Sequence, residues 1–564
     1  MLVSIATTLL IASCVLGVQA GSHAEKPPTV KILNGTYQGV YSNSYDQDFF
    51  LGMPYAQPPL GSLRFRNPQP LNTTWQGVRN ASAYSDICYG YGSDSIWYPN
   101  SEDCLTINVV RPAGTNESSA LPVAFWLHGG GLRMGAGSDQ RYNMSFMIQN
   151  AVKIGKPFIG VSINYRLGPY GFLYNNDILA SGQTNAGFRD QRLALHWVQE
   201  NIAAFGGDRT KVTIWGQSSG AASVAWHMAA YDGRDDGLFR AGIQESGSLI
   251  TGAVSGTVPG AAQTAYKSLL NATNCTGAID RLDCLRQLPA VELNSVLNGT
   301  NSSLYSSGYG MVVDGDIVRN VGSVSLRDGT FVKVPILYGS NTDEGTGQGP
   351  TGINTTEQFY TYLTRAHRYH AETQGIPPQA ANELLKLYPD NSTEEVAQYL
   401  GNASTPAQGL MWRRTSTYAG DYQQHSGRRF TCQAWAQYKA PAYCYRFNVH
   451  NTDVAWITGA AHFEEVSFVF YNLNGVGYHY GAPFNGTPPS YAALSRTMTS
   501  MWASFIADLD PNTAGANQQY WPPYDLSNPV DFLFDANVTS HGEPDTWRAE
   551  GIAYLNSIAL TFPR

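Results

Sequence analysis

The residues with the clearest chemical potential lie between Lys211 and Trp226, in the stretch KVTIWGQSSGAASVAW. An apolar, β-rich run leads into Gly216-Gln217-Ser218-Ser219-Gly220, and small residues with helical character follow. A sharp turn from strand to helix brings backbone segments very close together, which requires glycine on both sides of the central serine. Such a turn holds the Ser218 hydroxyl above the sheet, at the positive end of the helix. The pattern therefore predicts that Ser218 is a nucleophile.

A nucleophilic serine needs rigid hydrogen-bond donors for the negative charge that develops on the attacked oxygen. Three consecutive glycines, in His128-Gly129-Gly130-Gly131, directly follow an apolar run that ends at Leu127. A glycine loop at this edge of a sheet brings backbone N–H groups toward the serine. We expect the N–H groups of Gly130, Gly131 and Ser219 to form an oxyanion hole. The alternative is a flexible turn, which would not require three glycines straight after a buried strand.

These groups can meet only if the surrounding chain builds a rigid frame. Short apolar, β-rich runs alternate with longer helical patterns from residue 120 onward. Strands are predicted at Leu121–Leu127, Pro157–Tyr165, Lys211–Trp215, Val334–Tyr338 and Ala442–Val449, and helices at Phe188–Phe205, Gly220–Ala230 and Leu494–Leu509. Strands this apolar are typical of a sheet that is covered on both faces. The order of the elements indicates one doubly wound α/β sheet.

Further motifs are spread along the chain outside the serine turn. They are Leu51-Gly52-Met53-Pro54-Tyr55-Ala56 with Arg64-Phe65, Glu102-Asp103-Cys104-Leu105-Thr106-Ile107-Asn108-Val109, Asn164-Tyr165-Arg166-Leu167-Gly168 and Asn185-Ala186-Gly187-Phe188-Arg189-Asp190-Gln191-Arg192. With the serine turn, they resemble the type-B carboxylesterase/lipase family, which includes fungal lipases and cholinesterases. The resemblance covers most of residues 30–510. It implies an α/β-hydrolase fold, in which helices flank a central, mostly parallel sheet with large insertions.

The resemblance also implies the partners of the serine. Asn341-Thr342-Asp343-Glu344-Gly345 resembles the family's acid loop, with Glu344 in the catalytic position. Gly459-Ala460-Ala461-His462 resembles the family's histidine loop. The chain order serine, acid, histidine is that of α/β hydrolases. The family's activity implies hydrolysis of small-molecule carboxylic esters through an acyl-enzyme on Ser218, with neither metal nor cofactor.

Two departures from the family's pattern bear on the substrate. The family usually has Glu-Ser-Ala around the nucleophile, whereas this chain has Gln217-Ser218-Ser219. A carboxylate is therefore missing beside the serine, while Ser219 still provides its backbone N–H. The loop between Cys88 and Cys104 has 15 residues, and it is short and polar compared with the apolar lid of the family's lipases. We therefore expect soluble or modest-sized esters as substrates.

Three alternatives stay open at this point. Trp97-Tyr98-Pro99-Asn100 resembles a cholinesterase segment whose tryptophan stacks on a quaternary ammonium group. Because the segment stands closer to the second cysteine here, Trp97 either packs or forms a general pocket wall, or it binds substrate. The second open point is the activity, because a lipase or sterol esterase acting on longer lipid esters is the alternative to an esterase. The third is an interaction protein that has this fold but no catalytic activity, which the intact Ser218, Glu344 and His462 disfavour.

Composition and the first residues bear on partners and location. Charged residues make up 14% of the chain and its net charge is −8, so no basic surface for nucleic acid is expected. Met1–Ala20 is apolar and ends in Val18-Gln19-Ala20, the small residues that a signal peptidase accepts. No second apolar span follows, which predicts a secreted protein without a membrane span. The oligomeric state is left open.

Sequons and cysteines agree with secretion. Fourteen Asn-x-Ser/Thr sequons lie between Asn34 and Asn537, which suits a glycosylated surface. Of the seven cysteines, Cys14 lies in the leader and six remain, which allows 15 pairings. We favour the local scheme of three short loops: Cys88–Cys104, Cys275–Cys284 and Cys432–Cys444. The cysteine spacing matches no zinc signature.

The length of 564 residues would suggest about three or four domains. One catalytic site, however, would draw on residues 218, 344 and 462, so we expect residues 21–564 to form a single domain. The resemblance further implies two ion pairs that brace the fold, Arg64 with Glu102 and Arg166 with Asp190.

Overall fold

A computed structural model describes residues 27–251, 259–298, 309–365, 375–390, 396, 398–400, 405–515 and 519–561. The expected signal peptide, Met1–Ala20, lies outside the described residues. Within these ranges, no helix is long and apolar enough to cross a membrane. The same ranges contain no group of three or more His, Cys, Asp or Glu side chains arranged to hold a metal ion.

In the described residues, a sheet of eleven strands forms the centre of the fold, and five other strands form two small sheets, β1-β2-β5 and β6-β7. The strands of all three sheets are β1 Thr29–Lys31, β2 Thr36–Gln38, β3 Val40–Ser42, β4 Gln47–Pro54, β5 Val78–Asn80, β6 Ile87–Cys88, β7 Asn100–Ser101, β8 Thr106–Pro112, β9 Leu121–Leu127, β10 Ile159–Ile163, β11 Gly207–Gln217, β12 Ala241–Glu245, β13 Ile336–Asn341, β14 Ala442–Phe447, β15 Val530–Phe534 and β16 His541–Pro544. Their order across the large sheet is β16-β15-β14-β13-β12-β11-β9-β10-β8-β4-β3. The strands from β15 to β10 run parallel, and antiparallel strands flank them on both sides. This confirms the mostly parallel sheet.

Helices cover both faces of the sheet. They are α1 Met144–Lys153, α2 Gly168–Phe172, α3 Asn176–Ala180, α4 Ala186–Asn201, α5 Ser219–Ala229, α6 Pro259–Ala272, α7 Arg281–Gln287, α8 Ala290–Asn298, α9 Gly322–Asp328, α10 Thr356–Thr364, α11 Pro378–Leu387, α12 Trp412–Gly420, α13 Ser426–Gln437, α14 Glu465–Val469, α15 Pro489–Asp508 and α16 Ala549–Thr561. A buried π-helical turn, Asp421–His425, joins α12 to α13. The predicted helices correspond to α4, α5 and α15.

The apolar strands explain why the sheet is buried on both sides. In β11, Val212 and Ile214 belong to one large core cluster, whereas Trp215 belongs to the cluster on the opposite face. All five predicted strands are present, and β9 has the predicted bounds. β12 escaped prediction because its sequence, AGIQE, contains a glycine and two polar residues that are nevertheless buried.

Disulfides and buried ion pairs fasten distant segments to this frame. All three favoured disulfides are present, between Cys88 and Cys104, Cys275 and Cys284, and Cys432 and Cys444. Both expected ion pairs are also present. Arg64 binds both carboxylate oxygens of Glu102 at 2.6 and 2.7 Å, and Arg166 binds Asp190 at 2.6 Å. Because both ion pairs are buried, each charged side chain depends on its partner, since an uncompensated buried charge is costly.

Candidate active site

Ser218 stands at the turn between β11 and α5, with φ of 57° and ψ of −124°. A left-handed φ is uncommon for a residue with a side chain and marks a strained turn. A Cβ added at Gly220 would lie 2.0 Å from the carbonyl oxygen of Leu127, and one at Gly216 would lie 2.5 Å from the carbonyl carbon of Gly220. Only glycine fits at either position. The turn leaves the Ser218 side chain half-buried at the edge of the sheet.

The structure brings the serine, the histidine and the acid into one hydrogen-bonded chain. Ser218 Oγ lies 2.8 Å from His462 Nε2, and His462 Nδ1 lies 2.6 Å from Glu344 Oε2. The Glu344 side chain is fully buried, and that of His462 is 14% exposed. Since the ring nitrogen that faces the carboxylate carries a proton, the nitrogen that faces Ser218 is free to accept one. This arrangement can remove the proton of the serine hydroxyl and return it later.

Two donors orient the carboxylate of Glu344, which lies in the loop after β13. The Ser246 hydroxyl donates to Oε1 at 2.5 Å, and the backbone N–H of Asn341 donates to the same oxygen at 2.8 Å. The second oxygen, Oε2, is thereby directed at the imidazole. Ser246 follows β12, directly after Glu245, and belongs to a segment with no sequence signal. Sequence analysis missed this residue.

The charges around His462 favour its protonated form. Burial alone would lower the pKa of His462, but the charge of Glu344, its hydrogen bond and the charge of Glu465 together raise it above the ordinary value. Burial raises the pKa of Glu465 to about 7, and the charge of Glu344 acts in the same direction. Glu465 Oε2 accepts a hydrogen bond from the Asn341 side chain at 2.5 Å. Glu465 is thus a second, titratable carboxyl group whose charge acts on His462, and sequence analysis also missed it although it lies three residues after His462.

Two more acidic side chains are buried near this cluster. Trp215 and Trp502 donate their indole N–H groups to Glu245 Oε1 at 2.8 and 2.7 Å, and the Asn451 N–H donates to Glu464 Oε2 at 2.6 Å. Burial raises the pKa of both Glu245 and Glu464 well above the ordinary value. Burial thus disfavours the charged form of both carboxyl groups.

The glycine loop lies directly against the serine. A Cβ added at Gly129 would lie 3.0 Å from the Cβ of Ser218. Gly130 and Gly131 have φ of 98° and 66°, which favours glycine at both positions. Among the described residues, no hydrogen bond uses the N–H of either glycine as its donor. The N–H of Ser219 opens α5 and has no acceptor within the helix. The three predicted donors therefore stay available for a ligand.

His128 and Gln217 are both buried against the glycine loop. His128 is buried, and its ring stacks on Tyr165 with a centroid distance of 4.3 Å. Burial lowers the pKa of His128 to about 4, so the ring is neutral and structural. Gln217 is buried against the glycine loop, where a Cβ added at Gly129 would lie 3.1 Å from Gln217 Oε1.

Trp97 lines a cavity of about 230 Å³ that reaches the residue after the histidine, Phe463. The wall is mainly aromatic, with Tyr98, Tyr478 and Tyr480 among its residues, and its acids Asp94 and Asp139 are both paired with Arg141. One face of Trp97 packs on His479 with a centroid distance of 4.0 Å. The side chain is nevertheless 46% exposed. Trp97 thus packs and also leaves much of its surface accessible from the cavity.

Comparison with known proteins places this site in a family. The chain matches the model of the carboxylesterase family over residues 26–544. It is 34% identical over 532 residues to Lipase 5 of Diutina rugosa, which covers 88% of this chain and 89% of the relative. It is 32% identical over 541 residues to Secreted lipase 1 of Botryotinia fuckeliana, covering 88% and 87%. It is also 32% identical over 497 residues to Cholinesterase of Mus musculus, covering 84% and 77%.

Solved structures agree with the sequence relatives. The fold is similar to that of EstA from Aspergillus niger, with a TM-score of 0.81, 27% identity, and coverage of 95% of this chain and 99% of the other. A solved PNB esterase has a TM-score of 0.71 at 26% identity, with coverage of 93% and 100%. The chain therefore belongs to the carboxylesterase family. It has the α/β-hydrolase fold and is a carboxylic ester hydrolase.

Proposed function

We propose that this protein is a secreted esterase in which Ser218, His462 and Glu344 form the catalytic triad. The hydrogen-bonded chain from Ser218 Oγ through the imidazole to the buried carboxylate carries the proposal. The unused N–H groups of Gly130 and Gly131 support it, because they belong to the loop that lies against Ser218 at Gly129, and such donors stabilise the negative charge on an attacked carbonyl.

The chemistry follows from these positions. His462 Nε2 takes the proton of Ser218 as Oγ attacks the ester carbonyl, and the tetrahedral oxyanion is bound by the N–H groups of Gly130, Gly131 and Ser219. The imidazolium then gives its proton to the departing alcohol, which leaves an acyl-Ser218. Water repeats the sequence: it loses a proton to His462, attacks the acyl group and releases the acid, and the proton returns to Ser218. Glu344 holds the imidazole tautomer and stabilises the imidazolium.

A fluorophosphonate tests the nucleophile. The wild-type protein is expected to form one covalent adduct, on the peptide that contains Ser218, with parallel loss of esterase activity. Ser218→Ala should abolish both the adduct and the activity. Ser223→Ala is the matched control, because Ser223 lies one turn further along α5, donates to the Ser219 carbonyl at 2.9 Å and does not contact His462. Absence of an adduct on wild-type Ser218, or its persistence on another residue in Ser218→Ala, contradicts the proposal.

Esters that are soluble or of modest size are the proposed substrates. The loop between Cys88 and Cys104 is short, and the cavity that Trp97 and Phe463 line has polar as well as aromatic side chains. The exposed Ile96 and Trp97, at 65% and 46%, favour a second candidate, a lipase that engages lipid surfaces. The rate with a short-chain ester is measured across its solubility limit. A sharp rise at the aggregate interface contradicts the soluble-ester proposal and supports the lipase.

Secretion forms the last part of the proposal. The leader pattern at Met1–Ala20, the three disulfides and a relative named as a secreted lipase support it. Mature protein isolated from culture medium is expected to begin at Gly21, and residues 21–564 are proposed to act as one hydrolase domain. N-terminal sequencing of the protein in the medium tests the expected start. Recovery of the activity only from inside the cells contradicts secretion.

A further inference from the structure

The hydroxyl of Ser219 links the serine turn to the far end of the glycine loop. The N–H of Leu132 donates to Ser219 Oγ at 3.1 Å. Both residues are buried, with exposures of 0% for Leu132 and 2% for Ser219. The side chain that follows the nucleophile therefore holds the backbone directly after Gly131.

The beginning of the loop is held separately by Tyr165. The Tyr165 phenol donates to the His128 carbonyl at 2.7 Å, and its ring stacks on the His128 ring with a centroid distance of 4.3 Å. Burial raises the pKa of Tyr165, so the phenol keeps the proton that it donates. Ser219 and Tyr165 thus hold the two ends of the loop from His128 to Leu132.

The loop needs such external support because its backbone is unfavourable. Gly130, Gly131 and Leu132 have consecutive positive φ angles of 98°, 66° and 59°. A leucine is unfavourable in this region of backbone conformation, so surrounding contacts must hold it there. The loop's own turn bonds, from the N–H groups of Arg133 and Met134 to the Gly130 carbonyl at 3.1 and 3.2 Å, leave the N–H groups of both glycines unused.

We propose that the Ser219 hydroxyl is a positioning group for the oxyanion hole, which holds the Leu132 end of the glycine loop while Tyr165 holds the His128 end. This inference rests on the proposed ester hydrolysis at Ser218. The group touches no reacting atom, and its effect is to keep the N–H groups of Gly130 and Gly131 at their places beside the serine. An alanine at this position has no hydroxyl to accept the hydrogen bond from Leu132.

The test compares Ser219→Ala with wild type at the level of single active sites. Loss of the hydroxyl leaves the N–H of residue 219 in place but frees the loop, and a small displacement of donors is costly in the transition state. We expect kcat to fall about 10- to 100-fold with KM changed less than about threefold. The affinity for a trifluoromethyl ketone, whose hemiketal carries the same oxyanion, should fall by the same factor as kcat. The acid limb of the pH profile should stay in place, because His462 and Glu344 are untouched.

Tyr165→Phe provides a second variant in case the first one folds poorly. It removes the bond to His128 and leaves the Leu132 bond, so a smaller loss of kcat and ketone affinity is expected. The double variant should lose less than the product of the two single losses, because both act on one loop. Active sites are counted by their labelling with the fluorophosphonate. A wild-type protein that forms no adduct refutes the proposed ester hydrolysis itself, and not only the role of Ser219. If wild type is labelled but kcat per labelled site and ketone affinity of both single variants stay within twofold of wild type, Ser219 has no positioning role.

Discussion

Replacement of Glu344 by glutamine changes the proton pattern of the site with almost no change of shape. The Ser246 hydroxyl and the Asn341 N–H both donate to Oε1, at 2.5 and 2.8 Å. In Glu344→Gln these donors select the amide oxygen for that position. The amide NH₂ group then takes the place of Oε2, 2.6 Å from His462 Nδ1. Two N–H donors cannot face each other, so Nδ1 must give up its proton and accept instead.

The size of the expected loss in kcat follows from this tautomer of His462. With Nδ1 unprotonated, the neutral imidazole carries its proton on Nε2, which faces Ser218 Oγ at 2.8 Å. The base then points a proton at the nucleophile and cannot remove another. Comparable triads with an amide in place of the acid lose about 10⁴-fold in kcat, which corresponds to about 5 kcal/mol of activation free energy. We expect a loss of this size here, with KM nearly unchanged.

The assay is hydrolysis of a chromogenic short-chain ester, with active sites counted by slow fluorophosphonate labelling. Glu464→Gln is the matched control. Glu464 is also buried, burial raises its pKa, and its Oε2 accepts from Asn451 rather than from the imidazole. The control should keep kcat within about threefold of wild type. A loss of less than about 30-fold in Glu344→Gln would mean that this acid does not set the tautomer and would refute the reasoning.

Two further predictions address the electrostatics and the stability of the fold. Glu465→Gln removes a negative charge that raises the pKa of His462. Because the imidazole then stays neutral to lower pH, the acid limb of the kcat/KM profile should move to lower pH. An unchanged acid limb, or a shift to higher pH, contradicts this prediction. Glu102→Gln leaves the buried Arg64 without its carboxylate. The free energy of unfolding measured in urea should therefore fall by about 3–5 kcal/mol, while kcat per active site, measured at urea concentrations below the unfolding transition, stays unchanged. A fall of less than about 1 kcal/mol would show that this ion pair does not stabilise the fold.

Much of the frame was readable from short segments of the chain. The glycines around Ser218 were predictable because a tight strand-to-helix turn excludes side chains, and the clashes at Gly216 and Gly220 give the same reason in three dimensions. The apolar run of β9 predicted its bounds because strands buried on both faces need apolar residues throughout. β12 had no such pattern, since Gln244 and Glu245 are buried polar residues whose environment comes from distant segments.

The sequence could name residues for the site, but the contacts among them depend on the folded chain. Ser218 and His462 are 244 residues apart, and His462 and Glu344 are 118 apart. Local patterns carry no information on such distances or on which side chain ends beside another. The orienting bond of Ser246, the titrating Glu465 and the Ser219 hydroxyl on the glycine loop all arise where the parallel strands end at one edge of the sheet. Burial there also sets the pKa values, because desolvation and neighbouring charges exist only once the chain is folded.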